Sequence, residues 1–140
     1  MKLDATMRIV LALLLLVFGA NRLLHFIPEP PWPVGASAFL QALEQTGYMT
    51  PFIAVVDVVT GTLLLINRYV PLALAATLPV LANAFLFHVF LAPGTMLFAV
   101  LSLALDVALI VRNRRSFQDL LAPNASQAAP PRVPESVATR

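Results

Sequence analysis

The chain of 140 residues contains no cysteine and few charged side chains. The absence of cysteine excludes disulfides, thiolate catalysis, iron–sulfur clusters and zinc sites with cysteine ligands. Charged residues make up 11% of the chain, whereas an ordinary soluble domain has about 25%. Hydrophobic residues make up 59%, and the mean hydropathy is +0.84. This composition is typical of an integral membrane protein, and an unusually apolar soluble helical bundle is the alternative.

The charge balance excludes one class of partner. The formal net charge is +2 and the sequence pI is about 9.7, which on its own is compatible with nucleic-acid binding. The basic residues, however, stand at the ends of apolar stretches, and no arginine-rich or aromatic-interleaved patch occurs. We therefore expect no nucleic-acid partner.

Four apolar stretches predict an all-α integral membrane fold, a four-transmembrane-helix bundle. About 20 apolar residues are needed to span a bilayer as a helix. The predicted spans are residues 8–27, 51–66, 71–91 and 96–111. A short interfacial helix over residues 38–46 is predicted between spans 1 and 2, with Ser37 as its N-cap and Gly47 as its end. Residues 1–121 thus form one domain, and the Pro-, Ala- and Ser-rich residues 122–140 are predicted to be a disordered cytoplasmic tail.

Local signals place the starts of the spans. Thr50 followed by Pro51 predicts an N-cap and a first helical residue for span 2. Pro71 is predicted to start span 3, and Thr95 is expected to cap span 4. The first span also resembles a cleaved signal peptide, but its apolar pattern continues to Ile27, which favours a membrane span.

The distribution of Lys and Arg predicts the orientation. Basic residues stand before span 1 (Lys2, Arg8), between spans 2 and 3 (Arg68) and after span 4. Residues 27–51 and the turn near Pro93 contain none. Because cytoplasmic loops carry an excess of Lys and Arg, both termini are expected to be cytoplasmic.

Polar side chains on three spans are predicted to lie at one depth. They are Asn21, Arg22 and His25 on span 1, Asp57 on span 2 and Asn83 on span 3. A rise of about 1.5 Å per residue places the amides and charged groups about 8–12 Å from the outer end. Arg22 and Asp57 have opposite charge and are expected to pair. Since polar groups are costly in hydrocarbon, the layer predicts a ligand pocket in the outer half of the bundle; simple helix association is the alternative.

His88 and Asp106 are assigned weaker roles. His88 points about 140° away from Asn83 on the helix, yet it could close the pocket from above and exchange protons. Asp106 belongs to a deeper layer and shares its side with Ser102. Arg8 is a candidate partner for Asp106, and a protonated carboxyl group is the alternative. A proton path from Asp106 to Asp57 is weighed against simple helix association, which is favoured. No close ligand spacing links the histidines and aspartates, so no metal site is predicted.

Two further residues are assigned structural roles. Gly61 shares a helical side with Asp57 and is expected to let another helix approach closely. Trp32, within a proline-rich segment, is expected to anchor the chain at the membrane interface.

Three segments of the chain resemble the DoxX family of small bacterial membrane proteins. The first segment contains Phe18-Gly19-Ala20-Asn21-Arg22 and His25-Phe26. The second contains Thr46-Gly47-Tyr48, Pro51, Asp57, Gly61 and Leu63-Leu64-Leu65. The third runs from Asn67-Arg68-Tyr69-Val70-Pro71 through Pro79 and Asn83 to Phe87-His88. The resemblance covers residues 8–121. Asp57 stands where relatives are expected to have a glutamate, which shortens the carboxylate by one methylene.

The resemblance implies a four-helix membrane bundle linked to membrane redox chemistry. We expect an accessory subunit of a membrane oxidoreductase system, with a quinone-like or other small amphipathic ligand in the outer pocket. The chain has no metal, haem or flavin motif, so electrons would come from a redox partner subunit or a diffusing cofactor. The alternatives are a non-enzymatic membrane scaffold, whose polar layer only locks the bundle, and a small transporter.

Overall fold

The computed structural model describes residues 2–118, and this part of the chain is helical without any strand. Its helices are α1 (Lys2–Leu24), α2 (Val34–Gln45), α3 (Met49–Leu65), α4 (Val70–Leu91), α5 (Leu97–Arg112) and α6 (Arg114–Gln118). A 3₁₀ turn, Pro93–Thr95, precedes α5. The predicted all-α class is confirmed for these residues. The predicted tail, residues 122–140, lies outside the described residues.

Two of the helices are long and apolar enough to cross a membrane, namely α1 and α4. A third candidate is the pair α2 and α3, which are bent by 90° at the short break between them. Helices α3 and α5 are also apolar but have 17 and 16 residues. Residues 2–118 therefore contain two or three candidate membrane-spanning helices.

The long helices pack in two close pairs. Helix α1 packs mainly against α3, and α4 packs mainly against α5, while α3–α4 and α1–α5 contacts join the two pairs. The core cluster contains Leu11, Ala12, Leu15, Leu64, Ala73, Leu74, Leu81, Leu109 and Phe117. The cluster lies mostly toward the end of the bundle where α1 starts and α3 and α5 end.

Two glycines let α1 and α3 approach closely. A Cβ atom added to Gly61 would lie 3.1 Å from the Ala12 carbonyl oxygen and 3.0 Å from Leu16 Cγ. The close approach predicted at Gly61 is thus confirmed. Gly19 provides a second contact, because a Cβ atom there would lie 2.7 Å from Asp57 Cβ. The backbone of α1 is therefore held directly against the carboxylate-bearing face of α3.

The first helix begins earlier and ends earlier than predicted. It starts at Lys2, because no proline or glycine interrupts the sequence before Arg8. It ends at Leu24 rather than Ile27, since His25 adopts a φ of 51° and Pro28 follows. A non-glycine residue in this left-handed region does not continue a right-handed helix.

Three predicted caps are wrong. Helix α2 starts directly after Pro33, and the Ser37 hydroxyl instead donates to the Trp32 carbonyl at 3.5 Å. Helix α3 starts at Met49 rather than after Thr50, because the Thr46 hydroxyl accepts the Met49 N–H at 3.0 Å. Thr95 belongs to the 3₁₀ turn, so α5 starts after Met96. The predicted end of α2 near Gly47 is confirmed, with Gly47 at a φ of 73°.

Candidate ligand cavity

A cavity of about 810 Å³ opens at the end of the bundle where α1 and α4 end and α3 and α5 begin. We call it the polar cavity. Helix α2 and the proline-rich segment before it form part of its wall. All six predicted site residues line it, namely Asn21, Arg22, His25, Asp57, Asn83 and His88. The structure therefore brings together side chains that come from three helices and from the segment directly after α1.

Asp57 and Arg22 form the charged centre of the polar cavity. Arg22 Nε donates to Asp57 Oδ2 at 3.4 Å, and the two side chains are 33% and 5% exposed. The predicted pairing is confirmed. Asp57 Oδ1 is buried and has no hydrogen-bond partner among residues 2–118. One carboxylate oxygen is thus held by the guanidinium, and the other is left to accept a hydrogen bond.

Asn21 holds the chain as it leaves α1. Its backbone oxygen accepts the His25 N–H at 2.9 Å, and its Oδ1 atom accepts the Ile27 N–H at 2.7 Å. Because a backbone amide can only donate, the side-chain oxygen of Asn21 is fixed in this role. Its NH₂ group remains as the hydrogen-bond donor of that side chain.

His88 is anchored at the end of α4. His88 Nδ1 lies 2.9 Å from Thr95 Oγ1, and that hydroxyl donates to the Ala92 carbonyl at 3.1 Å. Since the hydroxyl has one hydrogen, the geometry favours donation from Nδ1–H, which leaves Nε2 of a neutral imidazole as an acceptor. His88 lines the same cavity as Asn83, although the two point to different sides of α4, because the cavity wraps around the end of that helix.

Aromatic rings form a wall that sequence reasoning did not identify as part of the site. Trp32 contacts Phe87 edge-on, with ring centroids 5.7 Å apart, and Phe39 lies 5.6 Å from the same ring. Phe18 and Phe98 meet at 5.5 Å on another side. These rings come from distant parts of the sequence, and no local pattern in the sequence indicates that they share a location.

Trp32 also has a polar contact, since its indole Nε1 donates to Glu29 Oε2 at 3.1 Å. Glu29 and Glu44 line the polar cavity together with Asp57. The two glutamates lie in and after the proline-rich segment, and were not identified as candidates from the sequence. The polar cavity therefore combines carboxylates, imidazoles, amides and one guanidinium within aromatic and aliphatic walls.

Asp106 lies outside the polar cavity and is fully buried. Its Oδ1 atom is 3.1 Å from Thr77 Oγ1, and its Oδ2 atom has no hydrogen-bond partner in the described part of the chain. The expected pairing with Arg8 is wrong. Arg8 reaches α3 instead, where its guanidinium donates to the carbonyl oxygens of Leu64 and Leu65.

The opposite end of the bundle has a shallower groove of about 430 Å³, lined by Asp4, Arg8, Asn67 and Asn113 among others. Asp4 and Arg112 form an ion pair there that joins α1 to α5. This pair and the contacts of Arg8 fasten the ends of α1, α3 and α5 to one another.

Within residues 2–118, no group of three or more His, Cys, Asp or Glu side chains has the arrangement of a metal site. No family model matches the chain, and no curated protein or solved structure matches it either. The chemical arrangement of the polar cavity therefore carries the functional argument.

Proposed function

We propose that this chain is a DoxX-like protein of the bacterial inner membrane, acting as an accessory subunit of a membrane oxidoreductase system. Its polar cavity binds a quinone-like ligand. The observation that carries the proposal is the buried carboxylate of Asp57. One of its oxygens accepts from Arg22 at 3.4 Å, and the other has no partner among the described residues. The side chain lines an aromatic-walled cavity.

The size and lining of the polar cavity suit a flat amphipathic ring. Ligand sites are typically about 300–1,000 Å³ in volume, with mostly apolar walls and a few convergent polar groups, and the polar cavity has about 810 Å³. Trp32 and Phe87 offer ring surfaces for a quinone head group. Offset or edge-on contacts between aromatic rings add about 0.5–1.5 kcal/mol beyond the area they bury.

The polar groups suit a ligand with oxygen atoms that change between carbonyl and hydroxyl. The free Oδ1 atom of Asp57 accepts a hydrogen bond from the hydroxyl of a quinol. The amide groups of Asn21 and Asn83 donate to the carbonyl oxygens of a quinone. Asp57 and His25 exchange the protons that accompany reduction. Electrons come from a partner subunit or a diffusing cofactor.

Four helices, α1, α3, α4 and α5, form the membrane bundle in this proposal, and α2 lies in the interface. The 90° bend between α2 and α3 supports an α2 that lies flat. Arg8 and Arg112 lie at the end opposite the polar cavity, in the groove and in the Asp4 pair. By the excess of basic residues in cytoplasmic segments, that end faces the cytoplasm and the polar cavity faces outward.

A non-enzymatic scaffold is the second candidate, and one observation favours it. Gly19 and Gly61 let α1 pack closely against α3, and the Arg22–Asp57 pair joins the same two helices. In a scaffold these contacts lock the bundle, and the cavity holds ordinary lipid.

The test is mass spectrometry of the lipids that co-purify with the protein in mild detergent. The proposal predicts about one quinone per chain in the native protein and none in Asp57→Asn. Asp4→Asn is the matched control, because it removes a carboxylate from the opposite end of α1 and leaves the polar cavity intact. This variant is expected to retain the quinone.

Only one combination of results across the native protein and the two variants supports the quinone site. Loss of quinone in Asp57→Asn alone, at equal yield and thermal stability, assigns the ligand to the polar cavity. Ordinary phospholipid in all three samples contradicts the quinone proposal and favours the scaffold. Quinone retained in Asp57→Asn contradicts the role of the carboxylate in binding.

A further inference from the structure

The polar cavity carries negative charge that the described residues do not neutralise. Carboxylates of Glu29, Glu44 and Asp57 line it, and Arg22 is the only lysine or arginine among its lining residues in the described part of the chain. Arg22 pairs with Asp57. Neither glutamate forms an ion pair within residues 2–118. A cleft lined by charge of one sign attracts ligands of the opposite sign.

Aromatic rings lie beside one of these glutamates. Glu29 Oε2 accepts a hydrogen bond from Trp32 Nε1 at 3.1 Å. The Trp32 ring lies 5.7 Å from Phe87 and 6.2 Å from His88. A carboxylate beside aromatic faces suits an organic ammonium group, because the negative face of the ring attracts the cation while the carboxylate accepts its N–H or balances its charge. We call Glu29, Trp32 and Phe87 the ammonium subsite.

The hydrogen-bonding capacity of the polar cavity points to the same chemistry. Asp57 Oδ1 is buried without a partner among residues 2–118. The carboxylate of Glu29 receives one hydrogen bond within these residues, from the indole. The cavity thus has acceptors to spare. A primary ammonium group supplies three donors and no acceptor, whereas a quinone carbonyl can only accept and does not satisfy a glutamate.

The ammonium subsite is separate from Asp57. Asp57 follows Met49, the first residue of α3, by eight residues, which places it about 12 Å along that helix. Trp32 lies in the segment before α2 and contacts His88, in the last turn of α4. The subsite is therefore at the mouth of the polar cavity and Asp57 is inside it. A cavity of about 810 Å³ has room for a ring beside Asp57 and a small charged group at the mouth.

We propose that the ammonium subsite binds the ammonium group of a phospholipid head group. The ammonium lies over the Trp32 ring and donates to the Glu29 carboxylate, whose other oxygen keeps the indole N–H. Glu44, elsewhere on the wall, adds negative charge without a ring beside it. The proposal uses the polar cavity but does not require quinone to be its inner ligand.

Exposed apolar side chains near the mouth favour a lipid over a soluble amine. Val34 starts α2 and is 89% exposed, Phe90 is in the last turn of α4 and is 76% exposed, and Leu97 starts α5 and is 72% exposed. These side chains offer apolar surface to acyl chains whose head group enters the mouth. A soluble amine gains nothing from that surface.

Tryptophan fluorescence of the full chain in an uncharged maltoside detergent tests the proposal. Trp32 is the only tryptophan in the chain, so the emission reports on the subsite itself. The probes are dihexanoyl phosphatidylethanolamine and dihexanoyl phosphatidylglycerol, which share acyl chains and phosphate but differ in the ammonium group. We expect a saturable change in emission with the first lipid at concentrations where the second has little effect.

Variants separate the subsite from the general charge of the polar cavity. Glu29→Gln should weaken phosphatidylethanolamine binding about tenfold, and its amide oxygen can still accept the indole N–H. Glu44→Gln, which changes an exposed glutamate, should weaken binding less than about threefold. Asp4→Asn, at the opposite end of the bundle, should leave binding unchanged. The quinone content of Glu29→Gln should equal that of the native protein, which keeps this test apart from that of the quinone site.

Three results would overturn the proposal. Equal responses to the two lipids would show that the ammonium group is not recognised. Equal losses of affinity in Glu29→Gln and Glu44→Gln would remove the site from Trp32. Saturation by free choline at the same concentration as by phosphatidylethanolamine would exclude a lipid as the specific occupant.

Discussion

The two ends of the bundle differ in how they use polar side chains. At the end with the polar cavity, Arg22 and Asp57 meet at 3.4 Å while one carboxylate oxygen remains unpartnered. At the opposite end, Arg112 and Asp4 pair through two contacts, and Arg8 donates to the last carbonyls of α3. The first arrangement leaves hydrogen-bonding capacity for another molecule. In the second arrangement the polar groups bond to one another within the chain and join three helices.

The packing of apolar side chains also differs between the two ends of the bundle. The core cluster lies mostly toward the end with the Asp4–Arg112 pair, and the polar cavity lies at the other end. The chain thus combines an open cavity at one end with close helix packing at the other. Substitutions at matched positions in the two ends should therefore have opposite consequences for stability and for binding.

The largest expected effect is on the stability of the end that carries the Asp4–Arg112 pair. Leu74→Ala should lower the free energy of unfolding in mixed micelles by about 3 kcal/mol, because a fully buried side chain leaves a void that the packed helices cannot fill. Leu97→Ala is the matched control, since Leu97 lines the polar cavity and is 72% exposed. Equal destabilisation by the two variants would contradict the difference in packing between the ends.

The next largest effect is expected from a substitution at the close contact between α1 and α3. Gly19→Ala should lower the free energy of unfolding by about 2 kcal/mol, because its Cβ would lie 2.7 Å from Asp57 Cβ. It should also weaken ligand binding, since the shift displaces Asp57. Gly94→Ala provides the comparison, because a Cβ there meets nothing within 4 Å. A Gly19→Ala protein as stable as Gly94→Ala would show that the helices do not depend on this approach.

The aromatic wall should affect binding more than stability. Trp32→Ala should weaken quinone binding about tenfold, or about 1.4 kcal/mol, through loss of ring contact. Trp32→Phe should recover most of it. Tyr69→Ala, which removes an aromatic ring near Arg68 away from the polar cavity, should leave quinone affinity unchanged, as measured by titration of the detergent-solubilised protein. Equal quinone affinities in Trp32→Ala and the native protein would show that the indole of Trp32 does not contribute to binding.

The smallest expected effect is a difference between the two ion pairs in coupling energy and in its dependence on salt. A double-mutant cycle with Arg22→Gln and Asp57→Asn should give a coupling of about 1 kcal/mol that changes little with salt, because Asp57 is buried. The same cycle with Arg112→Gln and Asp4→Asn should give a weaker coupling that falls as salt is added. Thermal unfolding at two ionic strengths measures both. Equal salt sensitivity would mean that the Arg22–Asp57 pair is as open to water as the pair at the other end.

The sequence predicted the helices more reliably than their ends. Apolar length and the prolines located every long helix to within a few residues, apart from the start of α1. The caps failed because a side-chain cap competes with other partners that only the folded chain reveals. Thr95, for example, contacts His88 rather than capping α5, and Thr46 receives the N–H that begins α3.

The polar part of the cavity could be predicted because depth along a helix follows from residue number alone. That rule brought Asn21, Arg22, Asp57 and Asn83 to one layer before any contact was known. The aromatic wall could not be predicted in this way. Trp32 and Phe87 meet only because the proline-rich segment folds back over the end of α4, which no local pattern specifies.

The partner of Asp106 was also beyond local reasoning. Arg8 was the candidate partner, but its guanidinium donates to the carbonyl oxygens at the end of α3. A threonine on α4 takes its place. A hydroxyl in an apolar helix bonds readily to its own backbone, so the sequence offers no sign that it also serves a carboxyl group on another helix.

The proposed function requires a bundle that opens on the outer side of the membrane, at the end with the polar cavity, and that is closed at the other end. The chain has no cysteine, so single-cysteine variants can be labelled without background. A membrane-impermeant maleimide added to intact spheroplasts should label Asn83→Cys, in the polar cavity, and should not label Leu74→Cys, in the core cluster. Labelling of Asn83→Cys only after the membrane is broken, or equal labelling of both variants, would contradict the account.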